Sequence, residues 1–182
     1  MRRAFFWRED RRRQLEVALR SWIGTPFVGK TRRRGVGVDC VNLAAAIYME
    51  CGVIDDFQPP EYNLDHSNHS DVELVIAYVE ETKRFQMVNG PELQALVMPG
   101  DLLCFNWARS AHHVGVALTG KLFVHVYARH VVMESPLLDR HWKKGLARVY
   151  RPVEETIVQP LDVRGGSETV GASVGLRNVE AM

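Results

Sequence analysis

The 182-residue sequence is poor in cysteine, with three in all, an odd number. Small domains held together by disulfides carry paired cysteines at high density, so that class is excluded and each thiol has to be judged singly. The sequence also lacks a run of about 18 apolar residues, which argues against a membrane-spanning helix. Its first residues become charged at Arg8 before an apolar signal region can form, which predicts synthesis in the cytoplasm without the usual export signal.

Close pairs of metal ligands are missing as well. No Cys-x-x-Cys or His-x-x-x-His pair occurs, so we predict no metal site. The short glycine motif Gly35-Val36-Gly37 precedes a predicted helix, but the rest of either nucleotide-binding motif is absent. We therefore predict that the protein uses no cofactor.

Charge is nearly balanced over the whole chain, at a formal net charge of +1, but it is unevenly spread. Residues 1–34 contain 11 basic residues against 3 acidic ones. Such a basic end can contact an anionic polymer, such as teichoic acid or nucleic acid, or an acidic partner. The simpler interpretation, a solvated polar face, is the one we favour.

The predicted elements run from helices to strands. Helices are expected over residues 11–23, 39–51 and 70–85, the first from the apolar spacing of Leu15, Leu19 and Trp22. After Pro99-Gly100, short β-type runs follow at 101–106, 112–118, 121–127, 130–134 and 146–151. This order predicts an α+β fold with an antiparallel sheet. We expect one domain over residues 1–154 and a poorly ordered tail or linker over 155–182.

Cys40 is the candidate nucleophile. It follows Asp39, a good N-cap, at the start of a helix that is apolar nearly all round and is therefore predicted to be buried. Free N–H groups and the dipole at a helix N-terminus lower the pKa of a thiol and favour the reactive thiolate. The alternative role for Cys40 is a small packing residue. Cys51, at the other end of this helix, and Cys104, in an apolar strand, are predicted to be inert.

His113 is the candidate base for that thiol. It opens a predicted strand and shares one face with Gly115 and Ala117, small residues that leave room for a nucleophile-bearing helix. A two-residue turn would put the ring of His125, on the next strand, on the opposite face. We predict instead a three-residue loop that pairs Ala117 with Lys121 and sets the two rings directly across from each other. His125 then orients His113, or it is a core histidine bonded to the backbone.

Several segments together carry a family resemblance: Trp22-Ile23-Gly24-Thr25-Pro26-Phe27, Gly35-Val36-Gly37-Val38-Asp39-Cys40-Val41-Asn42-Leu43, Pro99-Gly100-Asp101-Leu102-Leu103, His113-Val114-Gly115-Val116 and Phe123-Val124-His125. In this order they resemble the NlpC/P60 cysteine peptidases, and in particular the phage-tail and prophage branch. The resemblance spans about residues 12–151 and implies a papain-like fold with helices packed on a central antiparallel sheet. It implies Cys40 as nucleophile, its backbone N–H as an oxyanion donor, His113 as general base and acid, and His125 as the orienting residue.

Two positions depart from the family pattern. Phe27 stands where the family usually has a tyrosine, whose hydroxyl commonly helps to bind the substrate or the oxyanion side. Val41-Asn42 replaces a small Ser-Gly pair, and Asn42 either contacts the substrate or packs tightly. We take Phe27, Asp39, Asn42 and His112 as candidate substrate-binding residues.

The resemblance implies hydrolysis of peptide or amide bonds in peptidoglycan stem peptides, often next to D-glutamate. The branch implies a wall hydrolase of a phage tail or prophage, located in the virion. Its partners would be peptidoglycan peptides and, through the basic N-terminal region or the tail, other tail proteins, whereas nucleic acid is not expected. Two alternatives stay open: a catalytically weak or inactive tail-tip assembly protein, motivated by Phe27 and Val41-Asn42, and an amidase or acyl transferase of the same superfamily.

Overall fold

The computed structural model describes residues 2–57, 70–106 and 111–154, without the side chains of residues 70–75, 111 and 112. The predicted tail, residues 155–182, and residues 58–69 lie outside the described residues. In the part of the chain that is described, no helix combines the length and the apolar character needed to cross a membrane.

The helices begin close to where the sequence predicts them. They are α1 (Glu9–Trp22), α2 (Cys40–Glu50), α3 (Ser70–Glu81) and α4 (Arg140–Gly145), with two 3-10 segments at Phe5–Trp7 and Leu93–Leu96. In α1 the predicted apolar positions Leu15, Leu19 and Trp22 are buried. The α2 helix is buried almost all round, as predicted from its apolar composition.

The strands form one large antiparallel sheet and one small ribbon. The ribbon consists of β1 (Arg32–Arg33) and β2 (Gly37–Val38) and directly precedes α2. The sheet contains β3 (Phe85–Met87), β4 (Leu102–Asn106), β5 (Ala111–Ala117), β6 (Leu122–His125), β7 (Met133–Pro136) and β8 (Leu146–Pro152). Its order is β3-β8-β4-β5-β6-β7, with antiparallel neighbours throughout. The predicted α+β fold with an antiparallel sheet is confirmed, whereas β1, β2 and β3 had no sequence prediction.

Both faces of the sheet are covered. Helices α1, α2 and α3 pack on one face, which includes Val114 and Val116 of β5. On the other face, Trp142 of α4 packs against Phe105 and Phe123. Because side chains alternate along a strand, His113 points to the α4 face, although α2 lies on the opposite one.

The hairpin between β5 and β6 differs in register from the prediction. Ala117 pairs with Phe123, so the predicted pairing of Ala117 with Lys121 is wrong. The hydroxyl oxygen of Thr119 accepts hydrogen bonds from the backbone N–H groups of Lys121 (3.1 Å) and Leu122 (3.0 Å). With these hydrogen bonds, the three-residue loop begins at Thr119, one position later than expected.

The shifted register moves His125 along the strand without turning its ring to the other face. His125 now falls opposite Gly115, diagonal to His113, because the pairing has shifted by two residues and side chains alternate with period two. A Cβ atom on Gly115 would lie 2.7 Å from the Phe123 ring and 3.2 Å from the His125 Cβ. The room left by Gly115 is therefore filled by side chains of β6, not by the nucleophile-bearing helix.

The basic N-terminal segment makes contacts within the chain. Ala4 bridges to Val153, and the Arg11 guanidinium lies 2.9 Å from the Glu154 carboxylate, which joins the first residues to the end of β8. Phe6, just before α1, is buried against Gly100 at the turn into β4. These contacts tie the start of the chain to the central sheet.

We expect Gly100→Ala to lower the free energy of unfolding more than Gly24→Ala. Both glycines have φ 84°, so both substitutions carry the left-handed strain of roughly 1 kcal/mol. Only at Gly100 would the new Cβ lie 2.0 Å from the Phe6 ring, which adds an overpacking cost of about 1–3 kcal/mol. Urea unfolding of the two variants measures the difference, and equal losses would contradict the role assigned to Phe6.

Candidate active site

Cys40 is the first residue of α2, and its thiol faces the sheet at β5. Asp39 is the N-cap of the helix, and Cys40 is half-buried behind it. The backbone N–H of Val114 lies within hydrogen-bonding reach of the thiol. The β5–β6 ladder pairs Val116 with Val124 and runs from there toward the hairpin, so Val114 lies beyond its last described pair. The thiol thus approaches β5 beyond the last described pair of the β5–β6 ladder, beside the backbone of His113.

Burial raises the pKa of the Cys40 thiol to about 12, and the negative charge of Asp39 acts in the same direction. The backbone N–H groups of Val114, Val41 and Cys40 lower this pKa, but by less. The expected lowering by the helix N-terminus is therefore present but outweighed, because a buried thiolate loses its hydration. At neutral pH the free protein holds Cys40 as a thiol.

His113 and His125 share one hydrogen bond in the interior. The Nε2 atom of His113 lies 3.0 Å from the Nδ1 atom of His125, and both rings are almost completely buried. A diagonal pair on neighbouring strands is still within reach of long side chains, which explains why the shifted register preserves the contact. The structure therefore brings the two predicted histidines together by a different pairing from the one expected.

Burial also keeps both rings neutral. It lowers the pKa of His113 well below the usual value, with smaller effects from the nearby His125 and His141. It lowers the pKa of His125 to about 4, with a smaller effect from His130. A neutral imidazole has one unprotonated nitrogen, and a general base requires such a nitrogen.

Ser135 extends the pair to a third side chain. Its Oγ atom lies 2.9 Å from the Nε2 atom of His125, and the residue is buried in β7. Ser135 was not among the predicted site residues because the predicted strand ended at residue 134. With β7 extended to Pro136, alternation and the pairing of Phe123 with Ser135 put this hydroxyl on the face of the histidines.

Aromatic rings enclose the two histidines. Trp142 contacts both, with ring centroids 5.6 Å from His113 and 4.6 Å from His125. Tyr127 stacks on His125 at 5.6 Å and an interplanar angle of 13°. These contacts hold the rings in place and exclude water, which accounts for the lowered pKa values.

Asp39 and Asn42 bond to each other at the start of α2. One carboxylate oxygen of Asp39 accepts a hydrogen bond from the Asn42 backbone N–H at 2.8 Å, and the Asn42 amide donates to both oxygens at 3.1 and 3.0 Å. The second oxygen also accepts from the Lys30 backbone N–H at 2.7 Å. Both side chains are buried, so these contacts support the helix start and the loop before it.

Phe27 lies on the same loop, next to β2. Its backbone N–H donates to the carbonyl oxygen of His130 at 2.9 Å, and its residue bridges in parallel to Val38, two residues before Cys40. Its side chain is half-buried against the core that includes Cys40. The side chain of His112 lies outside the described residues.

The remaining cysteines lie at the far end of α2 and in β4, where Cys104 pairs with Val114. Cys51 follows the last residue of α2 and is buried, and burial raises the pKa of its thiol to about 12. Cys104 is completely buried in β4. No group of three or more His, Cys, Asp or Glu side chains that could hold a metal ion occurs in the described ranges.

Acidification should destabilise the fold through His125. Its pKa is about 4 when folded but about 6.5 when unfolded, so the unfolded chain binds more protons between these values. The contribution of the neutral His125 ring to the free energy of unfolding is complete above pH 6.5 and is lost as the pH falls toward 4. The loss between pH 8 and pH 5 is about 2 kcal/mol. Urea unfolding at both pH values should give a loss about 2 kcal/mol smaller for His125→Gln than for the wild type. An identical loss in the variant would contradict this assignment.

The NlpC/P60 family matches residues 24–151. A comparison with curated proteins found no significant match. The family match extends from the loop before α2 through β8, and so contains all the elements that position the thiol and the two histidines.

Solved structures share the fold at low sequence identity. A protein similar to a lipoprotein, of the NLP/P60 family, from Staphylococcus aureus subsp. aureus Mu50 is 19% identical with a TM-score of 0.55, over 82% of this chain and 43% of that chain. An NlpC/P60 family protein from Bacillus cereus ATCC 10987 is 18% identical with a TM-score of 0.55, over 79% and 40%. The NlpC/p60 domain of the peptidoglycan hydrolase SagA is 15% identical with a TM-score of 0.51, over 79% and 98%.

The first two of these proteins are more than twice as long as the part they share with this chain. At such identities the likeness is one of fold, and the sequence match supplies the family. Because that match covers most of the sequence and the antiparallel sheet with its buried helix agrees with it, the chain belongs to the NlpC/P60 family.

Proposed function

We propose that this chain is a cysteine hydrolase that cleaves peptide or amide bonds in peptidoglycan stem peptides. NlpC/P60 proteins are generally peptidoglycan hydrolases, and one structural neighbour is described as such. The single observation that carries the proposal is the meeting of Cys40 with the backbone beside His113, whose ring is bonded to His125. A thiol, a neutral imidazole and an orienting group are the parts that nucleophilic amide cleavage needs.

In this proposal His113 takes the thiol proton while sulfur attacks the carbonyl carbon. Its Nε2 atom is occupied by His125, so Nδ1 is the nitrogen that accepts the proton. Because both groups are neutral in the free protein, proton transfer accompanies the attack and no stable thiolate precedes it. The backbone N–H of Cys40 donates to the oxyanion. His113 then protonates the leaving amine, and water hydrolyses the thioester to regenerate the thiol.

The predicted substrate-binding residues differ in how deeply they are buried, and we assign their roles accordingly. Asp39 and Asn42 bond to each other inside the protein, so we assign them to positioning the Cys40 backbone. Phe27 is half-exposed on the loop that precedes the thiol-bearing helix α2, and we propose that its ring contacts the substrate through apolar surface. His112 stays a predicted substrate contact on the sequence alone.

We further propose a phage-tail or prophage setting with a virion location. The support is the Trp22-Ile23-Gly24-Thr25-Pro26-Phe27 opening, which resembles that branch. Other tail proteins are the proposed partners, through the basic N-terminal region or residues 155–182. Detection of the chain in purified particles by mass spectrometry tests this setting, and it is independent of the test for hydrolysis.

A second candidate function, a wall-binding or tail-tip assembly protein without turnover, is favoured by the raised pKa of the Cys40 thiol. Binding of the wild type to insoluble peptidoglycan without release of fragments would support it. Acyl transfer is separated from hydrolysis by the products, since only hydrolysis leaves a free carboxylate on the stem peptide.

We expect Cys40→Ala to abolish release of peptidoglycan fragments while leaving the fold intact. Alanine removes the attacking sulfur and retains helix propensity at the start of α2. Cys51→Ala, at the other end of the same helix, is the matched control and should keep nearly full activity. Fragments are identified by mass spectrometry and folding by circular dichroism. Undiminished release by Cys40→Ala would end the proposal.

The pH dependence of kcat/KM should follow the neutral form of His113. Since burial lowers the pKa of this ring well below 6.5, activity should persist below pH 6.5 and fall only at more acidic values. The profile is measured on a soluble stem-peptide substrate, over the range in which circular dichroism shows a folded protein. A loss of activity centred at or above pH 6.5 would contradict a buried neutral base.

A further inference from the structure

Ser135 sits at the far end of a line of three buried side chains. Each belongs to a different strand, in the order β5, β6 and β7. The contacts are 3.0 Å from His113 Nε2 to His125 Nδ1 and 2.9 Å from His125 Nε2 to Ser135 Oγ. Both nitrogens of His125 are therefore hydrogen-bonded. Its two possible tautomers reverse the direction in which hydrogen bonds are donated along the three side chains.

The direction of this line decides whether His113 can act as a base. To accept a proton at Nδ1, a neutral His113 must carry its own proton at Nε2. That proton is donated to Nδ1 of His125, which must then be the unprotonated nitrogen of the second ring. His125 consequently carries its proton at Nε2 and needs an acceptor there, and the oxygen of Ser135 is at the right distance.

The opposite direction would disable the base. If the Ser135 hydroxyl donated to His125 Nε2, His125 would carry its proton at Nδ1 and donate it to His113. His113 would then hold its proton at Nδ1, the nitrogen that has to receive the proton of the thiol. The two directions use the same heavy-atom positions, so they differ in whether the Ser135 hydroxyl accepts a hydrogen bond from His125 Nε2 or donates one to it.

We propose that Ser135 is a positioning residue that accepts a hydrogen bond from His125 Nε2 and thereby holds both rings in the Nε2–H tautomer. The inference rests on the proposed function, because only a catalytic base gives this tautomer a purpose. Ser135 acts through His125 and touches neither the thiol nor the substrate. A serine oxygen suits this place because it orients a neutral ring without adding charge.

Other polar or titratable groups around the line come from several elements. His141 at the start of α4 and His130 in the loop before β7 act on the rings from a distance. Trp142 and Tyr127 pack directly on them. Glu134, next to Ser135, pairs with Arg20 at 2.8 Å. Of these described groups, Ser135 is the one whose polar atom lies at hydrogen-bonding distance from His125 Nε2.

The decisive test is the protonation of each ring nitrogen, read by long-range 15N–1H NMR of histidine-labelled protein at pH 7.5. Wild type should show the proton on Nε2 in both His113 and His125. Ser135→Ala should give a measurable population with the proton on Nδ1 in both rings. A wild-type His125 protonated at Nδ1 would overturn the proposal, as would tautomers that do not change in Ser135→Ala. This reading needs no activity, so it separates failure of this inference from failure of the proposed hydrolysis.

Kinetics provide the second measurement. Ser135→Ala should lower kcat on a stem-peptide substrate about tenfold with little change in KM, because the tautomer affects the chemical step and not binding. Ser135→Thr keeps the hydroxyl and should recover most of kcat. Ser21→Ala, which removes a part-buried hydroxyl bonded only to the backbone of α1, is the matched control and should leave kcat unchanged. A loss in Ser135→Thr equal to that in Ser135→Ala would assign the effect to packing and overturn the proposal.

Discussion

The buried carboxylate of Asp39 is the constraint on which the site depends. A charged group removed from water is tolerated only when hydrogen bonds replace its hydration, and Asp39 accepts them from Asn42 and from the Lys30 backbone. These bonds join the loop before α2 to the first turn of the helix and so fix where Cys40 lies. The same negative charge raises the pKa of the Cys40 thiol. The carboxylate that positions Cys40, the proposed nucleophile, therefore also disfavours the ionised form of its thiol.

The sheet separates the parts of the site onto two faces. Helix α2 packs with Val114 on one face, whereas His113 and His125 lie with Trp142 on the other. In the proposed reaction, thiol and imidazole have to come together past the end of the β5–β6 ladder, whose last described pair on the side of His113 joins Val116 to Val124.

Much of this arrangement could be predicted from the sequence, and the failures have identifiable causes. Apolar composition and a good cap predict α2 and the place of Cys40, and alternation puts His113 on the face of Gly115. The register of the hairpin goes with the hydrogen bonds that the Thr119 hydroxyl accepts inside the loop. The pattern of residues alone does not distinguish this loop from one that begins a residue earlier. The pKa of the thiol depends on tertiary burial, which outweighs the local effect of a helix terminus. Ser135 was missed because the predicted strand ended at residue 134, two residues before the end of β7.

A neutral site needs a different kind of orienting group from a charged one. A carboxylate beside His125 would favour the imidazolium form and raise the ring pKa, whereas burial and the aromatic enclosure lower it to about 4. A hydroxyl directs the ring by its dipole alone, so Ser135 is compatible with an interior that excludes charge. With both rings neutral, hydrogen-bond partners help to decide which ring nitrogen carries the proton. In this proposal the hydrogen bonds between side chains of three strands orient the histidine rings without a charged partner.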